Sequence, residues 1–433
     1  MCQFLYGLGR LKKKRMGKKK YYINSFFAGI GGFDIAFENS GFSSAFFCEI
    51  NPYCKKILSQ HWPNVPLFDD INKIKETDIP DSNIWCGGFP CQDISVARGA
   101  SERLGLKGVR SGLFYRFSEL IESKKPEVVL VENVAGLFTS NGGRDFGIIL
   151  QTLSALGYGV AWRLLNSRYF GVPQSRTRVY LCCWKNNPSK AVKVMFDEQG
   201  AEKPINERLD FITEESKPHE YPKVPKVAYC LAASSGRHTG TDWSRTYVVC
   251  KDGVRRLSPI ESERLQGFPD NWTAITTEAI GDDNTDTFRY TAIGNAVSVP
   301  VVEWIAKRIK KQLNAHNEDN LQDILPHFLD FRKSNWSAQS LSDMDFTDSS
   351  KEHKWEKGGI VWNNAFIQSN VNPTPNKIIK SSLLDLIEKE QKNPVYFLSP
   401  NAAEGILRRV DNQKRSLFNP LRIALEELSS QNI

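Results

Sequence analysis

Five short apolar segments, each stopped by a glycine turn or an acid, set the strongest limit on how this chain folds. They are 21–27, 44–48, 65–68, 84–87 and 127–131. Stretches with helical periodicity alternate with them, among them Phe33 to Asn39, Gly112 to Ser123 and Asp145 to Leu156. Short β-prone runs alternating with helices predict an α/β fold, a doubly wound sheet whose ligands sit beyond the carboxyl ends of its strands. Pro66 makes the third segment a weak strand, since proline cannot donate to a ladder.

The ends of those segments carry the residues with chemistry. The first runs into Ala28-Gly29-Ile30-Gly31-Gly32 and then a helix, so backbone N–H groups can approach a ligand closely. The second ends at Glu49, about 20 residues beyond Gly29, the spacing of an acid that hydrogen-bonds a ribose diol. The fourth opens into Gly87-Gly88-Phe89-Pro90-Cys91-Gln92. An isolated cysteine in a turn reads as a core thiol. This one stands at a strand end beside a proline and two glycines, where chemistry is mounted on loops. The fifth ends in Glu132-Asn133-Val134, and further on Arg176 and Arg178 sit two apart on an extended segment, which points them to one side.

Composition narrows the class. Nine cysteines contain no CxxC pair, which argues against a zinc site, so no metal is expected, and for reduced thiols in a cytosolic compartment. No apolar run approaches the roughly 18 residues of a membrane helix. The net charge of +8 resides in the leader, residues 1–20, which holds eight Lys and Arg and no acid; the remaining basic residues balance the 49 acidic ones. Polyanion binding by the rest of the chain must therefore come from local patches. Met16, followed by Gly-Lys-Lys-Lys, is a second candidate start, which makes the first fifteen residues dispensable in this reading.

The pattern changes after residue 184. Residues 185–254 show no clear helical period, only short β-runs at Val192 to Phe196 and Thr246 to Cys250, and read as a small irregular β-rich insert. Regularity returns over 255–313, where Pro300 starts an amphipathic helix. Residues 314–351, rich in Ser, Asp and Asn towards their end, read as a linker. Residues 352–433 read as an appendage whose firmest element is a capped basic helix, Ser399 to Arg409.

Taken in order, these pieces resemble the bacterial DNA (cytosine-5) methyltransferases that depend on S-adenosylmethionine. The resemblance spans residues 22 to about 311 and rests on Phe27 to Phe33, Glu49, Asp70-Ile71, Gly88 to Gln92, Gly108 to Phe114, Glu132 to Val134, Gln174 to Arg178, Arg256 to Trp272 and Gly294 to Val297. It implies a Rossmann-like methyltransferase sheet, with residues 21–184 and 255–313 as the catalytic domain and 185–254 as a target-recognition domain. It implies methyl transfer to C5 of a flipped cytosine in a short duplex DNA site, with Cys91 as the nucleophile that adds to C6. Glu132 would protonate N3, and Arg178 with Arg176 would hold the base. S-adenosyl-L-methionine would be held by Phe27, Ala28, Gly29, Gly31, Glu49, Asp70, Ile71, Pro90, Leu113, Asn295 and Val297. Relatives usually carry glycine where Asp69 stands, which puts the adenine edge in question. Ser95 to Ser111 would close over DNA, its Arg98, Arg103, Lys107 and Arg110 meeting phosphates. The implied partners are duplex DNA and a cognate restriction endonuclease, for a monomer in the bacterial cytosol. A transfer-RNA cytosine methyltransferase and a catalytically silent DNA-binding regulator stay open as alternatives.

Overall fold

The computed structural model describes residues 20–90, 112–198, 210–217, 219–235, 242–275, 283–316, 319–328, 339–348 and 350–432. Cys91, Arg98, Arg103, Lys107 and Arg110, with residues 1–19 of the leader, lie outside the described residues. Strands β1 (Tyr22–Phe26), β2 (Ser43–Cys48), β3 (Leu67–Phe68), β4 (Ile84–Gly87) and β5 (Val128–Val134) run parallel in the order 3-2-1-4-5. After them come β6 (Tyr158–Asn166) and β7 (Thr177–Lys185), with β7 between β5 and β6 and antiparallel to both.

Register brings the strand ends level. Phe26 pairs with both Cys48 and Gly87, and Gly87 pairs with Val131. Phe27, Glu49, Gly88 and Glu132, one residue further on, therefore share one edge of the sheet. The antiparallel β7 begins at that edge, so Arg178 is brought opposite Val134.

Strands buried on both faces feed two cores, as their period of two requires. Val128 and Leu130 join one core, Val129 and Val131 the other. The first is covered by α1 (Gly32–Asn39), α5 (Pro188–Met195) and α8 (Val299–Leu313), the second by α3 (Leu113–Lys124) and α4 (Arg144–Ala155); α2 (Pro52–His61) flanks β2, and α6 (Pro259–Gln266) and α7 (Asp283–Asn295) follow the insert.

Two regions differ from the sequence expectation. Val192 to Phe196, read as a β-run, belongs to α5 and its C-cap. Pro188 stands in its first turn, the Asn187 side chain accepts from the Lys190 N–H, and Ala191, Val192, Val194 and Met195 enter the main core. Local β-branching suggested a strand; capping and burial settle a helix.

The C-terminal residues are also woven into the rest, where a linker and an appendage were expected. β10 (Gln339–Ser340), β11 (Gly358–Trp362) and β12 (Ala365–Ser369) extend the sheet to ten strands, β11 pairing with β6. Leu341, Phe346, Val361 and Phe366 are buried in the second main core. Further on, α9 (Pro400–Asn412) and α10 (Asn419–Ser429) pack on the hairpin of β8 (Tyr247–Cys250) and β9 (Gly253–Arg256). The expected capped helix is present: the Ser399 hydroxyl accepts from the Ala402 N–H at 3.2 Å. No helix among the described residues is long and apolar enough to cross a membrane.

Candidate active site

The centre of the sheet edge is Glu132, buried at 8% exposure at the end of β5. Its Oε1 lies 3.2 Å from Arg178 Nε at ion-pair distance, yet has no hydrogen-bond donor among the described residues. Burial pushes its carboxyl above the usual range; the charges of Arg178 and then Arg176 pull it part of the way back. Desolvation is the largest of these effects, so the folded site holds the carboxyl's proton more firmly than water would.

The turn ahead of Cys91 is fastened to β5. A side chain at Gly88 would place Cβ 3.2 Å from the Glu132 carbonyl oxygen and 3.3 Å from Oε2, so any larger residue would press on β5 at this close approach. Asn133 Nδ2 donates to the Phe89 carbonyl at 3.0 Å, and its Oδ1 accepts from the Val134 N–H at 2.8 Å. Phe89 is buried and stacks at a tilt on Phe114 of α3. Gly88, Phe89 and Pro90 thus leave the sheet beside Glu132, and Cys91 follows directly in sequence.

The two arginines divide. Arg178 faces Glu132, while its Nη1 donates to the Thr177 carbonyl at 2.8 Å. Arg176 is 3% exposed and donates to three carbonyls, of Leu231 (3.0 Å), Gly294 (3.1 Å) and Ala296 (2.7 Å). Its guanidinium therefore ties the insert and the C-terminal end of α7 to the start of β7. Cys230 touches both, its sulfur 3.7 Å from Arg176 Nη1 and 3.9 Å from Arg178 Nη2. Sequence reading passed over Cys230 and the three carbonyls; carbonyls carry no side-chain signal at all.

The neighbouring strand ends form a second cluster. Phe27 and Gly29 both take positive φ, 53° and 56°, and a Cβ at Gly29 would meet nothing within 4 Å, so the turn faces open space. Glu49 Oε2 accepts from the Gly29 N–H at 2.7 Å and Oε1 from the Asn51 N–H at 2.7 Å. Each oxygen keeps a further lone pair. Asp70 Oδ1 accepts from the Asn72 N–H at 3.0 Å, and Ile71 is buried with Phe26 and Phe46. Asp69, the departure from the family pattern, turns its exposed carboxylate to Lys55 at 2.6 Å. Ala28 and Val297 are buried, Leu113 packs on the second core at the start of α3, and Pro90 and Asn295 are exposed.

An α/β sheet of this order, with a glycine turn, an acid after the second strand and an arginine-paired acid at the fifth, has the architecture of a Rossmann-like methyltransferase. The profile of the C-5 cytosine-specific DNA methylase family matches residues 21–229 and 224–311, and the chain belongs to that family. It is a DNA cytosine-5 methyltransferase. Type II methyltransferase M2.BsuMI of Bacillus subtilis (strain 168) is 34% identical over 305 residues, covering 67% of this chain and 75% of the relative. Type II methyltransferase M.HaeII of Haemophilus aegyptius is 32% identical over 336 residues, covering 72% of this chain and all of the relative. Among solved structures, the S. pombe Dnmt2 methyltransferase matches 69% of this chain and all of its own at 19% identity, with a TM-score of 0.46.

Proposed function

We propose that the protein methylates a cytosine flipped out of a short duplex site, through a covalent bond between the Cys91 sulfur and C6. The observation that carries this reading is Glu132: a buried carboxyl held beside Arg178, with one oxygen free of donors among the described residues, next to the turn that Cys91 follows in sequence. Cytosine C5 is a poor nucleophile. Addition of the thiolate to C6 moves the electron pair of the C5–C6 bond through the ring to N3, where Glu132 supplies a proton. C5 of the resulting enamine is then nucleophilic. Arg178 stabilises charge on the base, and Arg176 acts as a clamp that holds the site's walls. After methyl transfer, loss of the C5 proton expels the Cys91 thiolate, and return of the N3 proton to Glu132 restores the neutral aromatic ring.

S-adenosyl-L-methionine fits the second cluster, and when bound it supplies an electrophilic methyl group on a sulfonium. The open space before Gly29 and the spare lone pairs of Glu49 support this assignment. Phe27, Ala28, Gly29, Gly31 and Glu49 would hold the methionine and ribose; Asp70 and Ile71 would face the adenine. Pro90, Leu113, Asn295 and Val297 would close the pocket. Asp69, turned to Lys55, leaves that edge clear.

Base flipping costs a few kcal/mol, which pocket contacts offset. The loop with Arg98, Arg103, Lys107 and Arg110 would close over the DNA, and the insert of 185–254 would read base edges in the major groove. Type II relatives point to a restriction endonuclease acting on the same site, and the enzyme works as a monomer. Methylation-sensitive sequencing of DNA from cells expressing the protein tests all of this at once. 5-Methylcytosine in one short sequence context is the expected result. Normal turnover by Cys91→Ser would sink the covalent route, and label transferred to RNA alone would replace the substrate.

A further inference from the structure

The C-terminal helix pair completes the core of the insert. Tyr247, Val249 and Val254 of the β8–β9 hairpin are buried against Ala403, Ile406 and Val410 of α9 and Leu421 and Leu425 of α10. A two-stranded hairpin is marginal by itself. Here its second apolar face is supplied by residues about 150 to 180 positions further along the chain.

The loop joining the two helices has a particular chemistry. Asn412, Gln413, Lys414, Arg415 and Ser416 are all exposed. Its shape is fixed: the Arg415 N–H donates to the Val410 carbonyl at 3.1 Å, the Lys414 N–H to Asp411 at 3.0 Å, and Lys414 takes a left-handed φ of 51°. The acids near it are already matched. Asp411 pairs with Arg422 at 2.8 Å, and buried Asp242 pairs with Arg409 at 2.8 Å. Lys414 and Arg415 have no acidic partner among the described residues. Arg415 instead lies over the Trp243 ring, 4.4 Å from its centre.

Two cavities that share Arg245 in their lining lie beside Cys230 and beside Trp243. Cys230, beside Arg178, lines the first, and Trp243 lines the second with Leu417. We propose that the α9–α10 pair is the second half of the DNA-reading unit, and that Lys414 and Arg415 bind duplex phosphates flanking the methylated site. Exposed Asn, Gln, Lys, Arg and Ser on a rigid turn, with the nearby acids neutralised, suit a phosphate backbone. The proposal rests on the duplex-DNA reading above.

Its test uses the full-length protein and a duplex carrying the methylated site, either with long flanks or trimmed close to the site. Lys414→Gln with Arg415→Gln, both at exposed positions, should weaken binding to the long duplex on the order of tenfold near 0.15 M salt and lower the slope of log K against log salt by about 2. Binding to the trimmed duplex and kcat at saturating DNA should hold, and Arg415→Lys should keep most of the slope. Equal affinity and slope for wild type and the double variant overturn the proposal, as does an equal loss from Lys307→Gln with Lys311→Gln on α8. Wild type that neither binds nor methylates any duplex instead removes the underlying reading.

Discussion

The two halves of the sheet are assembled by different means. Between β3 and β5, each strand end carries its own punctuation, even where sheet neighbours such as β1 and β4 lie far apart in sequence. At the other side, Gly358 of β11 pairs with Arg163 of β6, and β10 pairs with β12 at the extreme edge. The parallel half announces itself through local signals: glycine turns, strand-end acids, apolar runs. The far half contains local hairpins too, but it is joined to the rest through the β6–β11 pairing, which no local window contains. Chemistry thus gathers where local sequence is decisive, and the far half supplies closure and stability.

That contrast explains what could be read beforehand. The α/β class, the five parallel strands and the placement of Glu49 and Glu132 on one edge follow from residues that punctuate strands. The Gly88 approach to Glu132 and the Asn133 bond to Phe89 lie within motifs already singled out. The separation of Arg176 from Arg178 did not follow, because alternation on a strand says nothing about carbonyls contributed by residues 231, 294 and 296. The C-terminal residues misled in the same way: Ser, Asp and Asn over 333–351 have linker composition, while Leu341 and Phe346 within that stretch are buried.

The largest expected effect tests the far half. Ending the chain after residue 330 removes β10 to β12, opens the β6 edge and uncovers Tyr247, Val249 and Val254. An exposed edge and a bare apolar face favour aggregation. The truncated protein is expected to be insoluble, or to lose its cooperative thermal transition. A soluble, fully active truncation would restore the appendage reading and erase the contrast.

At the parallel half, Glu132→Gln should lower kcat by about 10²–10⁴-fold, the usual worth of a positioned acid, with Tm nearly unchanged. Methyl transfer to duplex DNA with labelled cofactor measures it. A variant that melts far earlier but turns over normally would make Glu132 a structural residue.

The arginine pair gives a finer division. Arg178→Ala should cost roughly 10²-fold in kcat. The charge of Arg178 lowers the carboxyl of Glu132, so its loss leaves burial less opposed. Activity that needs the protonated acid is lost as pH rises, and the alkaline limb of the rate profile should therefore move to higher pH. Arg176→Ala should act on stability, since three carbonyls lose their donor at about 1–3 kcal/mol for each one left buried and unsatisfied. A chemical melt separates the two, and identical Tm losses with identical pH profiles would merge their roles.

The smallest effect lies within the parallel half, at Asp34 in the first turn of α1. Its ionisation cannot be read from the sequence, because burial is a property of the finished core. The carboxyl is fully buried and pushed up to about 7, chiefly by desolvation, although the hydroxyls of Ser25 and Ser44 donate to Oδ1 at 2.7 and 3.0 Å. Folding favours the protonated form. The stabilisation that this proton linkage provides is complete below the unfolded value near 4, and is lost as pH rises to about 7. Asp34→Asn keeps an acceptor for the two hydroxyls and does not titrate. The difference in Tm, variant minus wild type, should rise between about pH 4 and 7 by roughly a few degrees and level off above. A flat difference across that range would mean that Asp34 stays ionised beneath the glycine turn.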